Sequence, residues 1–118
     1  MDDAITLRQK IESKIELLEK ERLRLFKAAQ HKAKTVGDYD KALALTMLKL
    51  KNGIIQEFEG IRIDNVSATT VEKIARGICW QEALNKEEGE ALYKSLLTTI
   101  DCIRAELNGL QSVNKFFE

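Results

Sequence analysis

From Tyr93 onward, Tyr93, Leu96, Ile100, Ile103, Leu107, Leu110, Asn114 and Phe117 step by 3, 4, 3, 4, 3, 4 and 3. That spacing sets one side chain after another along a narrow stripe of an α-helix, and only Asn114 interrupts its apolar character. It predicts a helix over about 86–117. Asn85 stands as N-cap with Glu88 three residues on to close a capping box. Glu87, Glu88 and Glu90 then fall where the helix dipole favours acids. The chain contains no proline in 118 residues. Because proline costs about 3 kcal/mol in a helix interior, its absence points the same way along the whole length.

The first third carries a similar stripe. Ala4, Ile11, Leu18 and Leu25 recur every seven residues, flanked by Leu7, Ile15, Phe26 and Ala29, with Arg8 and Arg22 beside them. Glu12, Glu16, Lys10 and Lys14 suit the solvated side of a helix over about 3–35. Gly37 is its expected stop, and Asp38 the N-cap of a second helix bearing Leu43, Met47, Leu50 and Ile54, widened by Leu45 and Leu48. Asn52-Gly53 is a good C-cap signal. The preferred reading ends this helix near 52 and places a short hairpin or extended crossover over 54–66, with Glu59-Gly60 as its turn. The alternative carries the helix on to Phe58, with Gly60 as the stop. Thr69 and Glu72 form a capping box for a third helix over about 70–84. No period of 20 to 50 residues recurs, so solenoid folds are excluded.

Length then bears on assembly. Two helices of about 32 residues would each reach about 48 Å, whereas a compact chain of this size is about 35 Å across. The central helices are too short to cover both stripes. The expected architecture is one all-α domain over 1–118, an elongated helical bundle or antiparallel coiled coil with two long terminal and two shorter central helices. A homodimer is the first expectation, sealed by Ile11, Leu18, Leu25, Leu96, Ile100, Ile103, Leu107 and Leu110.

Composition removes several classes. The hydrophobic share of 44% is too high for disorder, and no apolar run is long enough for a membrane span. The opening MDDAITLRQK is acidic and then amphipathic, unlike a signal peptide. Two cysteines, Cys79 and Cys102, are too few for a disulfide scaffold and suit a reducing cytoplasm. With one histidine and no CxxC, zinc ligation has no known spacing here. His31 finds its explanation in the C-terminal dipole of the first helix, and both thiols read as buried and inert. Asp38 with Asp40, and Glu87, Glu88 and Glu90, have capping explanations. The glycines are scattered singly, so no phosphate loop exists. The chain is expected to be no enzyme and to carry no cofactor or metal.

Charge is the most informative functional feature. The chain is neutral overall, but residues 20–51 hold nine basic residues against three acids. Arg22, Arg24, Lys27, Lys32 and Lys34 in that segment are the candidates for nucleic-acid binding, which would be salt-sensitive. Aromatic residues do not interleave with them, and a solvated helical face is the default. Trp80 either anchors the third helix in the core or forms a hot spot for a partner protein. Phe116, off the stripe that Phe117 continues, needs another home, such as a contact between subunits.

Three stretches, YDKALALTMLKLKNG (39–53), KIARGICWQEAL (73–84) and LNGLQSVNKFFE (107–118), together resemble small helical proteins encoded by phages and prophages of Gram-positive bacteria. Genes of that group tend to lie among early replication and recombination functions. The resemblance covers about a third of the chain. It implies a viral accessory protein acting in the host cytoplasm, and transfers no functional residue. The expected function is a non-enzymatic protein that self-associates and binds a protein of the replication, recombination or defence machinery through a helical surface. The alternative is a nucleic-acid binder using residues 20–51.

Overall fold

A computed structural model describes residues 2–117, and the chain is mostly helical, at 85%. Helix α1 spans Asp2–Lys51, strands β1 (Glu57–Phe58) and β2 (Ile61–Arg62) form an antiparallel hairpin, α2 spans Ala68–Ile78 and α3 spans Trp80–Asn114. A 3₁₀ turn follows at Lys115–Phe117. The all-α expectation holds. Several boundaries within it do not.

The expected first and second helices are one continuous helix, α1, which runs straight through Gly37. A glycine costs about 1 kcal/mol in a helix interior, too little to end a helix whose buried stripe continues on both sides through Thr35 and Tyr39. Asp38 caps nothing; its carboxylate accepts from Lys34 Nζ at 3.4 Å, one turn back. The true stop is Asn52-Gly53. Gly53, with φ of 71°, lets its own N–H donate to Leu50 O and that of Ile54 donate to Lys49 O, which satisfies the last carbonyls.

The hairpin reading of 54–66 is correct. Glu57 pairs with Arg62 and Phe58 with Ile61, leaving Glu59 and Gly60 as a two-residue loop with φ of 51° and 76°. Two consecutive positive angles define the turn that matches strand twist, and glycine relieves the second. The cap of α2 is Ser67, whose Oγ accepts from Thr70 N–H, so the box expected at Thr69 and Glu72 is displaced by two residues. Asn85 is likewise no cap. It sits inside α3, where its side chain accepts from Gln81 Nε2 at 3.1 Å. The helix instead begins at Trp80, directly after a one-residue break at Cys79.

Contacts gather into two compact units: the chain up to Gln30 with Ala91 onward, and His31–Glu90. In the first unit, α1 and α3 run antiparallel. Leu18, Ile100, Ile103 and Leu107 form the core, with Ile11 and Leu25 packed against it, and Lys14 is ion-paired with Glu106. Burial along α3 follows the stripe read from sequence, from Tyr93 through Leu110. Phe117, its expected last member, is 53% exposed.

In the second unit the two helices are again antiparallel. Lys86 Nζ lies 4.9 Å from the centre of the Tyr39 ring, and Thr46 Oγ1 lies 3.3 Å from Cys79 Sγ. Between those pairs and His31, Gly89 sits over Thr35. A Cβ built on Gly89 would meet Thr35 Oγ1 at 2.9 Å and the Lys32 backbone at 3.5 Å. Thr35 is buried, and its hydroxyl donates to Lys32 O at 3.0 Å, so it has little freedom to retreat. The missing side chain is what admits this close approach. Phe58 uses Gly77 in the same way, with its ring tip 3.1 Å from where a Cβ would stand.

These surroundings predict opposite signs for two glycine substitutions. Gly89→Val should lower stability by about 1–3 kcal/mol through overpacking. Gly37→Ala, with nothing within 4 Å of its new methyl, should raise it by up to about 1 kcal/mol through helix propensity. Urea unfolding followed by circular dichroism checks both.

Candidate functional site

The junction of α2 and α3 makes the most distinctive surface of the second unit. Cys79 leaves the helical path (φ −90°, ψ 26°), yet its N–H still donates to Ala75 O and its carbonyl still accepts from Ala83 N–H. Both backbone groups of Cys79 therefore stay hydrogen-bonded through the bend. The thiol of Cys79 is buried and engages the Thr46 hydroxyl, which fixes the bend to α1. The next residue, Trp80, projects outward and is 62% exposed. Leu84, one turn along α3, is 44% exposed, and the bonded amides of Gln81 and Asn85 lie on the same turn. Core anchoring, the first of the two roles expected for Trp80, is thus overturned. A large ring and a leucine one turn apart, with amides alongside, have the chemistry of a protein-contact surface. Phe116, the second expected partner residue, is 87% exposed in the terminal 3₁₀ turn of the other unit.

The expected oligomer stripe is used differently. Leu18, Leu96, Ile100, Ile103 and Leu107 are buried within the chain, with Ile11, Leu25 and Leu110 half-buried. Helices α1 and α3 cover each other. The premise that both stripes stand uncovered is corrected, and self-association needs another surface.

The basic segment is dispersed. At about 100° per residue, Arg22 and Arg24 point to opposite sides of α1. Arg24 Nη1 is bound to both carboxylate oxygens of Glu21, at 3.0 and 3.1 Å. Lys34 is paired with Asp38, and Lys32 is half-buried and engaged. Arg22 and Lys27 remain exposed. Glu21 was not singled out in the sequence, although it falls on the stripe between Leu18 and Leu25; it is 5% exposed. Its buried carboxylate accepts from Arg24, which serves the fold before any ligand.

Other expectations shift with the helix boundaries. His31 stands twenty residues before Lys51, far from any helix end, so the dipole explanation lapses. Cys102 is exposed, against the expectation of two buried thiols. Asp40 and the glutamates at 87, 88 and 90 lie within helices, not at their starts. Among the described residues, no group of three or more His, Cys, Asp or Glu side chains could hold a metal ion, and no helix is long and apolar enough to cross a membrane. The first unit has an open groove of about 680 Å³ with Thr6, Ser13 and Gly109 among its small lining residues, Leu110 and Val113 as apolar wall, and the Lys14–Glu106 pair at its edge. No protein family, curated protein or solved structure matches this chain.

The burial of Glu21 gives a prediction. Arg24→Ala strands a nearly buried carboxylate and should cost about 1–3 kcal/mol. Glu21→Leu, which extends the apolar stripe, should be neutral or stabilising. Thermal melts of the two variants at neutral pH distinguish them, and equal losses would contradict this account of the pair.

Proposed function

We propose that this protein is a non-enzymatic accessory protein of the phage type, which self-associates and offers a helical surface to a protein of the replication, recombination or defence machinery. Helices α1 and α3 act as an antiparallel coiled-coil scaffold that carries the contact residues. The observation that carries the reading is Trp80, 62% exposed beside a buried and hydrogen-bonded Cys79. A tryptophan left in water forgoes burial of a side chain that presents about 150–250 Å². A rigid bend that holds it there favours capture of a partner, since the ring pays little ordering entropy on binding. Leu84 extends the same surface.

The nucleic-acid reading has less support, because two of its five residues are ion-paired within the helix that bears them. It would require a gel shift at low ionic strength that fades with salt.

Trp80→Ala should leave the melting temperature within about 2–4 °C of the parent, since little packing is lost at an exposed site. It should also abolish enrichment of a specific protein in affinity capture from host lysate read by mass spectrometry. Capture that survives the substitution in a folded variant removes Trp80 from the proposal.

A further inference from the structure

We infer that α1 carries a second stripe, separate from the one α3 covers, through which two copies of this chain pair antiparallel. The inference rests on the self-association half of the proposed function and supplies the surface that half lacks.

Ile5, Arg8, Glu12, Ile15, Glu19, Arg22 and Phe26 step by 3, 4, 3, 4, 3 and 4. At about 100° per residue they share one face, roughly 100° round the helix from the buried stripe of Ile11, Leu18 and Leu25. All are exposed: Ile5 at 55%, Ile15 at 40% and Phe26 at 63%, with the four charged residues between them. Among the described residues Arg8, Glu12, Glu19 and Arg22 make no ion pair, although Arg24, Lys14 and Lys34 on the same helix do.

The order of these residues identifies the occupant. Apolar, basic, acidic, apolar, acidic, basic, apolar reads the same in both directions. A face carrying two acids and two bases can meet its own copy acid to base when that copy runs antiparallel about a two-fold axis perpendicular to the helix. Register decides the sign of the charge contacts. Centring the axis on Ile15 sets Arg8 opposite Arg22 and crowds Glu12 against Glu19. Moving it two residues on, so that paired positions sum to 34, sets Glu12 of each copy opposite Arg22 of the other. Arg8 then faces the Phe26 ring, a favourable cation–aromatic contact, Ile5 faces Ala29, and Ile15 faces the methylene stem of Glu19. The opposite shift pairs Arg8 with Glu19 but leaves Phe26 beyond the start of the partner's helix. The register summing to 34 therefore covers every member of the stripe, and each interaction in it occurs twice.

Charge reversal tests this, read by sedimentation velocity at micromolar concentration on the full chain. The parent should sediment as a dimer, at twice 13.4 kDa. Glu12→Arg and Arg22→Glu should each raise the dimer dissociation constant by about tenfold or more, since each sets like charges face to face twice. The chain carrying both substitutions should regain the parental affinity. Within one helix the two positions are about 15 Å apart, so restoration can arise only between copies. Circular dichroism confirms that the exposed substitutions leave the helices intact. A monomeric parent overturns self-association altogether. A parental dimer indifferent to the single reversals, or one the double variant fails to restore, overturns this surface while leaving self-association standing.

Discussion

Burial of one helical stripe by another running the opposite way is the interaction on which the fold depends. In the first unit it rests on Leu18, Ile100, Ile103 and Leu107, each contributing about 1.5–3 kcal/mol on leaving water. The core is thin: among the described residues no large side chain is completely buried. Its polar members are therefore decisive. Glu21, Thr35 and Thr46 are all buried, and each is tied, to Arg24, to the Lys32 carbonyl and to the Cys79 thiol respectively. Without those bonds each would cost about as much as a neighbouring leucine contributes.

The apolar part of this arrangement was legible in the residues. Tyr93 through Leu110 declared α3, Asn52-Gly53 declared the end of α1, and Glu59-Gly60 declared the hairpin turn. The polar part was not. The seven-residue series beginning at Ala4 does not end at Leu25; it continues in phase through Lys32, Tyr39 and Thr46. Because those residues are not hydrophobic, the continuation resembles a solvated segment, and Gly37 in its midst resembles a stop. A lysine, a tyrosine and a threonine can occupy such positions by burying only their stems or by bonding to nearby groups. Hydropathy alone does not register that.

The surroundings of the candidate residues were harder to read. A lone tryptophan beside a cysteine invites core packing, and the neighbouring positions Ile78 and Cys79 do turn inward. The inward positions continue at Glu82, Ala83 and Lys86, and Trp80, about 100° on from Cys79, falls off that face. Similarly, the basic count over 20–51 was correct as arithmetic, but a count ignores direction around the helix and the acids at Glu21 and Asp38 that engage part of it. Self-pairing was inferred from stripes that turn out to cover each other. The charged face now assigned to it was passed over because its apolar members are separated by pairs of ions.

The two thiols differ in one further respect. Cys79 is 3% exposed and shares a hydrogen with Thr46, while Cys102 is open to solvent. An alkylating reagent reaches Cys102 at once but meets Cys79 only when the bend between α2 and α3 comes away from α1. The native chain thus contains an internal clock and its calibrant: the lag between the two modifications measures how often the His31–Glu90 unit breathes, with no engineered label required.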